Sequence, residues 1–144
     1  MNIVCSTCFV TNRIPEGKEH SQAKCGKCQN PVYCAEPVEL KNNTFYPFIE
    51  RNDLPIIVDF WAAWCGPCQN MAPVFSNLAL SSPSILFAKV NTEQVQQVSA
   101  DANIRSLPTL VFFHQGKEID RISGGLNEAQ MKQWIMQCVQ KLNG

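Results

Sequence analysis

An excess of charge of either sign is missing from this chain: Lys and Arg number 12, Asp and Glu number 12. The balance also holds locally, since Arg13, Lys18, Lys24 and Lys27 are offset by Glu16, Glu19, Glu36 and Glu39 before residue 41. Without a basic stripe, neither nucleic acid nor an anionic membrane is expected as a partner. Long apolar runs are absent too, and none approaches the roughly eighteen residues that a spanning helix needs. The amino end lacks the positive start and apolar stretch of a secretory leader, so a cytoplasmic location is expected. Histidine is scarce; His20 reads as a loop residue, a weak competitor for a metal position, and His114 as a turn residue.

What is abundant is cysteine, with 8 in 144 residues. In a reducing compartment such a density points to metal binding or catalysis more than to a static disulfide framework. The cysteines fall into three C-x-x-C pairs, Cys5 with Cys8, Cys25 with Cys28, and Cys65 with Cys68, leaving Cys34 and Cys138 alone.

Two regions differ in composition. Residues 1–36 carry few large apolar side chains and are too small to be held by burial alone, the situation in which a metal or disulfides are usually required. Residues 37–144 read as one α/β domain. Short strands are expected at 38–40, 56–60 and 85–90, and a hairpin at 109–113 and 118–122 around the turn 114–117. Helices are expected from a Thr44 cap carrying Phe45, Phe48 and Ile49; over 67–80 with Met71, Val74, Phe75 and Leu78 on one face; over 95–102; and after an Asn127 cap. Pro73 removes a hydrogen bond inside the second helix and should kink it. This order predicts a central mixed β-sheet flanked by helices, with functional groups beyond the carboxyl ends of its strands.

Cys65 falls at such a place. A thiolate is the attacking species in disulfide exchange, and a helix start lowers a thiol's pKa through free N–H groups and the helix dipole. Cys68 lies one turn inside the helix, shielded but within reach of Cys65. Cys65 is therefore the candidate nucleophile and Cys68 the resolving thiol of a redox-active disulfide. Asp59 interrupts an otherwise apolar strand, and burial would raise its pKa enough to accept the Cys68 proton near neutrality. A C-x-x-C pair is equally half a zinc site, and a lone strand Asp is often solvated.

The run Asp59-Phe60-Trp61-Ala62-Ala63-Trp64-Cys65-Gly66-Pro67-Cys68, with Pro73, Lys89, Asn91, Ser106-Leu107-Pro108-Thr109 and Gly124, resembles the thioredoxin family from about residue 38 to the end. The resemblance implies a thioredoxin fold, protein-disulfide reduction, and recycling by an NADPH-dependent thioredoxin reductase. It places Lys89 near Asp59 and makes Pro108 cis, facing the disulfide, with the Leu107 backbone pairing with a bound substrate chain. It assigns Trp64, Gly66, Pro67 and Gly124 to the docking surface, with Trp61 beneath. From the residues alone a trans proline would be the default. Pro67 between the cysteines resembles reductases, whereas oxidase and isomerase relatives usually carry histidine there. Gln69 departs from the Lys or Arg usual after the second cysteine, removing a local positive charge.

The spacing C-x2-C-x16-C-x2-C of Cys5, Cys8, Cys25 and Cys28 is that of a zinc ribbon. Four thiolates would close the coordination sphere of one Zn2+, making it structural and not hydrolytic. Phe9 stands after Cys8, where a small residue is common. Together with the larger domain, the ribbon resembles the zinc-containing bacterial thioredoxin 2 class, associated with oxidative stress. Expulsion of zinc by thiolate oxidation would make it a sensor; a structural role is the simpler reading. Cys34 reads as a bystander and Cys138 as core. A monomer is expected, and a non-enzymatic scaffold is the alternative from another class.

Overall fold

The computed structural model describes all of residues 1–144. A two-stranded antiparallel ribbon, β1 (Asn2–Val4) and β2 (Thr11–Arg13), precedes a five-stranded mixed sheet. The strands of the larger sheet are β3 (Val38–Glu39), β4 (Ile56–Trp61), β5 (Leu86–Asn91), β6 (Thr109–His114) and β7 (Lys117–Ser123), in spatial order β3-β5-β4-β6-β7. The first three run parallel, while β6 and β7 are antiparallel additions. Four helices complete the chain: α1 (Phe45–Arg51), α2 (Gly66–Ser81), α3 (Gln96–Asp101) and α4 (Glu128–Asn143). No helix is long and apolar enough to cross a membrane.

Strand β4 is central because its apolar residues are wanted on both faces. Ile56, Val58 and Phe60 pack with Phe45 and Phe48 of α1 and Val98 of α3. Ile57 points the other way, toward Met71 and Phe75 of α2 and Met131 and Trp134 of α4. Each such large side chain contributes about 1.5–3 kcal/mol when fully buried. The one acid on this strand, Asp59, shares the α2-facing side with Ile57 by alternation.

Local signals fix several boundaries. The β6–β7 turn is tight because Gln115 and Gly116 both take positive φ, 50° and 84°, as a two-residue hairpin of this hand requires. Asn127 caps α4: its side chain accepts from the Gln130 N–H at 2.9 Å, while Gln130 Oε1 accepts from the Asn127 N–H at 3.0 Å. Thr44 holds the N-cap position of α1 as expected, but its side chain does not cap the helix; its backbone is already helical and its Oγ1 accepts from the Lys41 N–H at 2.8 Å, closing the preceding turn. Helix α2 runs continuously past Pro73.

The ribbon is seated on the end of α1 and the loop leading into β4. Asn52, fully buried, accepts from the Val4 N–H at 2.7 Å and donates to the Phe48 carbonyl at 2.8 Å. Asn2 donates to the Asp53 carboxylate at 2.6 Å, and the Asp53 N–H donates to the Asn2 carbonyl at 3.0 Å. His20 is no metal ligand: its Nε2 lies 2.8 Å from the Pro83 carbonyl and its ring meets Tyr33 edge-on. The Asn52 and Asp53 anchors precede the first residue of β4, and Cys65 follows the last. A six-residue strand separates them by roughly 20 Å.

Candidate active site and four-sulfur cluster

Cys65 occupies the N-cap of α2, with Gly66 and Pro67 opening the helix. Pro67 suits this turn because its N–H would have no intrahelical partner. The Cys68 N–H donates to Cys65 Sγ at 3.2 Å, so a helix-start donor is aimed at the candidate nucleophile. The two cysteines form a disulfide with Cα atoms 5.2 Å apart. Cys65 is nearly as buried as its partner, 4% exposed against 3% for Cys68. The bond draws its sulfur down into a cluster with Ala62, against which Trp61 and Leu107 pack. Trp64, by contrast, stands 71% exposed beside it. Gln69, in place of a cation, donates its side-chain amide to the Ala63 carbonyl at 3.1 Å and braces the loop before Cys65.

Asp59 is 1% exposed, and neither carboxylate oxygen has a hydrogen-bond partner. Burial pushes its pKa up to about 7, opposed by Lys89 and reinforced by Glu39. Lys89 sits directly beside Asp59 in the β4–β5 register, with its ammonium 4.7 Å from the centre of the Trp61 ring.

The Leu107-Pro108 bond is cis. Leu107 lies against the disulfide cluster, and its own N–H and C=O make no internal backbone hydrogen bond. Gly124, at φ 100°, donates its N–H to the Pro108 carbonyl at 2.9 Å. Its neighbour Gly125 was not singled out in the sequence; a Cβ there would meet Pro67 Cβ at 3.6 Å, so it joins the β7 end to the start of α2. The structure thus gathers Cys65, Cys68, Leu107 and Pro108 around one end of β4, with Asp59 and Lys89 on the strands beneath.

In the ribbon the sulfurs of Cys5, Cys8, Cys25 and Cys28 lie within 4.8 Å of one another. The two knuckles repeat one geometry. Cys5 and Cys25 donate N–H groups to the carbonyls of Val10 and Asn30 at 2.8 Å, and Phe9 and Gln29 donate back to Cys5 and Cys25 at 2.9 and 3.0 Å. Phe9 and Gln29 both take positive φ, 62° and 69°, which explains why small residues are common after such pairs. Phe9 bears that strain, roughly 1–2 kcal/mol, while its ring packs edge-on against Phe48 and fastens the ribbon to α1.

The donor set fits a tetrahedral dication. Cys5–Cys28 and Cys8–Cys25 sulfur separations are 3.7 and 3.6 Å, and a Zn–S bond of about 2.3 Å gives tetrahedral edges of about 3.8 Å. The Thr7 and Lys27 backbone N–H groups and the Asn12 and Asn30 side-chain amides donate to sulfur. The Cys28 backbone N–H and the Asn12 amide bring Cys25 down to about 6. Against the Val10 backbone, burial and neighbouring sulfurs push Cys8 up to about 11. Without a cation, the four thiolates oppose one another; a dication removes that conflict. Asn12 and Asn30 carried no sequence signal that would have selected them.

Cys34 is exposed and Cys138 buried, both as free thiols outside either cluster.

Comparison with known proteins agrees with both clusters. The thioredoxin family model matches residues 36–137, and a model described as thioredoxin 2, N-terminal, matches residues 4–30. Thioredoxin C-3 of Corynebacterium nephridii is 43% identical over 144 residues, covering 100% of this chain and 99% of that protein. Thioredoxin 1 of a Nostoc species is 38% identical over 98 residues, 67% of this chain and 92% of its own. Among solved structures, the thioredoxin of Malassezia sympodialis superposes with a TM-score of 0.63 at 30% identity, covering 69% of this chain and 87% of that one. A mutant thioredoxin of Halobacterium salinarum gives 0.65 at 30% identity, covering 72% and 90%. The fold is the thioredoxin fold preceded by a ribbon with four close cysteines, and the chemistry of the Cys65–Cys68 pair is that of a protein-disulfide oxidoreductase. The chain belongs to the thioredoxin family and carries at its amino end the zinc-ribbon domain of thioredoxin 2.

Proposed function

We propose that this protein reduces disulfides in other proteins, is recycled by thioredoxin reductase, and works in the cytoplasm as a monomer of two units, a ribbon at 1–36 and a catalytic domain at 37–144. The reduced Cys65 thiolate attacks a substrate disulfide: a bond forms between Cys65 and one substrate sulfur, and the other substrate sulfur leaves as a thiolate. Cys68 then gives its proton to Asp59 and attacks Cys65 Sγ. The Cys65–Cys68 bond forms, the second substrate thiolate leaves, and two electrons have passed from enzyme to substrate. Lys89 limits how far burial raises the Asp59 pKa, keeping the acceptor in the useful range.

Leu107 and Pro108 present the edge on which an extended substrate chain docks, flanked by Trp64, Gly66, Pro67 and Gly124. The unpaired Leu107 N–H and C=O support that reading, since an edge with free backbone groups recruits a strand. Cys5, Cys8, Cys25 and Cys28 hold one Zn2+, which when bound cross-links the two knuckles. Those residues fill a four-coordinate sphere, so the role proposed for the metal is structural.

The single observation that carries the catalytic reading is the Cys65–Cys68 disulfide at the start of α2 with a helix N–H on Cys65 Sγ. Cys65→Ser abolishes dithiothreitol-driven reduction of insulin on this account; a variant that still precipitated insulin at the wild-type rate would refute it.

A further inference from the structure

A row of three charged side chains crosses the sheet below the active site. Glu39 of β3 lies beside Lys89 of β5, and Lys89 lies beside Asp59 of β4. Residues directly opposite on neighbouring strands point to one face, here the face of Ile57 and Phe87, which α2 covers. Lys89 is not consumed by Asp59: its ammonium sits over the Trp61 ring, and the two groups form no ion pair. Glu39 and Lys89 instead line a cleft of about 380 Å³ together with Glu36, Pro37, Ser76 and Leu80. The ammonium forms an ion pair with neither carboxylate, and its charge acts on both, Glu39 at the open sheet edge and Asp59 buried beneath α2.

We propose that Glu39 is a positioning residue for Asp59, its carboxylate competing for the Lys89 cation and so keeping Asp59 a usable proton acceptor at neutral pH. The inference rests on the reading of Asp59 as the acceptor for Cys68. Were Lys89 directed to Asp59 alone, the buried carboxylate would be held ionised and would bind the Cys68 proton more weakly. The directions agree. Burial does most to raise Asp59, Lys89 opposes it, and Glu39 adds to the rise. The Glu39 carboxyl is itself raised by burial, with Lys89 and Lys41 drawing it back.

No other ionised group competes inside the same space. Helix α2 brings Met71 and Phe75 to this face, β6 brings Leu110, and α4 brings Cys138, whose thiol burial pushes up to about 12; the disulfide-bonded Cys68 lies in the adjoining cluster against Trp61. Glu36, an exposed residue, also lines the cleft. Two strand spacings put Glu39 about 10 Å from Asp59. Across that distance, with the outer charge at a solvated edge, the coupling is a few tenths of a pH unit.

The test uses the full-length, zinc-loaded, oxidised protein and follows the Asp59 side-chain carboxyl carbon by NMR through a pH titration. Glu39→Gln lowers the Asp59 midpoint by about 0.3–0.5 pH unit, a two- to threefold change in proton affinity. Glu39→Asp, which keeps the charge, holds the wild-type midpoint. The pH profile of Cys68 attack, read by stopped flow on a mixed disulfide preformed at Cys65, moves down by the same amount in Glu39→Gln. An unmoved Asp59 midpoint in Glu39→Gln overturns the proposal, as does an equal shift in Glu39→Asp, which would assign the effect to packing. The titration does not depend on Asp59 acting in catalysis. If Asp59→Asn released substrate at the full rate, the acceptor reading would fail while the charge coupling stood or fell by its own measurement.

Discussion

Three C-x-x-C pairs share one spacing, yet the ribbon and the α2 start do opposite things with it. In the ribbon each pair lies in a knuckle whose N–H groups converge on sulfur from loops, and two pairs meet face to face. At α2 a single pair is wound into a helix start, so its two sulfurs bond to each other with no second pair to meet them. Spacing alone therefore does not set a cysteine's chemistry; what decides is whether the chain turns back to bring a second pair or runs on into a helix. A second contrast follows from the seating of the ribbon on Asn52 and Asp53, before β4, with the active site after it.

The largest test of the contrast is removal of the metal. Cys25→Ser, or chelation of the wild type, unfolds the ribbon, with loss of apparent metal binding worth about 10 kcal/mol or more, while insulin reduction persists. Zinc analysis, amide exchange over residues 1–36 and the insulin assay check this together. Loss of reduction along with the metal would join in function two regions that the fold holds at opposite ends of β4.

Next in size is the buried acid. The Asp59 pKa rises from its ordinary 3.8 to about 7 because burial penalises the charged form. A group that holds its proton more tightly when folded stabilises the fold below its unfolded pKa and loses that contribution as pH rises through the folded one. Stability of the oxidised protein therefore falls by roughly 4 kcal/mol on this account between about pH 4 and pH 8. Asp59→Asn, unable to ionise, is more stable than wild type at pH 8 and equal to it near pH 3, as denaturant unfolding at the two pH values will show.

The smallest effect lies at the seam. Asn52→Ala leaves the buried Val4 N–H and the Phe48 carbonyl without their side-chain partner. The cost is about 2 kcal/mol or more, appearing as faster amide exchange in β1 with unchanged insulin reduction. Loss of activity instead would show that the ribbon's seat reaches the active site.

The sequence carried most of what depends on neighbours in the chain. Cysteine spacing, the β-branched run before Cys65, the Asn127 cap and the turn around Gln115-Gly116 are local, and the structure has each in place. Thr44 misled because a threonine before a helix has two nearby donors to choose from, and it closed its own turn. Asn52 was illegible because its partner is 48 residues away. Glu39 was illegible because its neighbours follow from strand order, which places β5 between β3 and β4. The narrow exposure of Cys65 was missed because the helix-start argument concerns its charge and says nothing of Leu107 and Trp61 closing over it.

The division of labour among the sulfurs is tested most directly by timed alkylation with peptide mapping on the reduced, zinc-loaded protein, before and after chelation. Cys65 and the exposed Cys34 should react first, while Cys5, Cys8, Cys25 and Cys28 react only after the chelator releases one zinc per chain. Ribbon cysteines reacting as fast as Cys34 with zinc still bound, or Cys65 becoming reactive only on chelation, would contradict it.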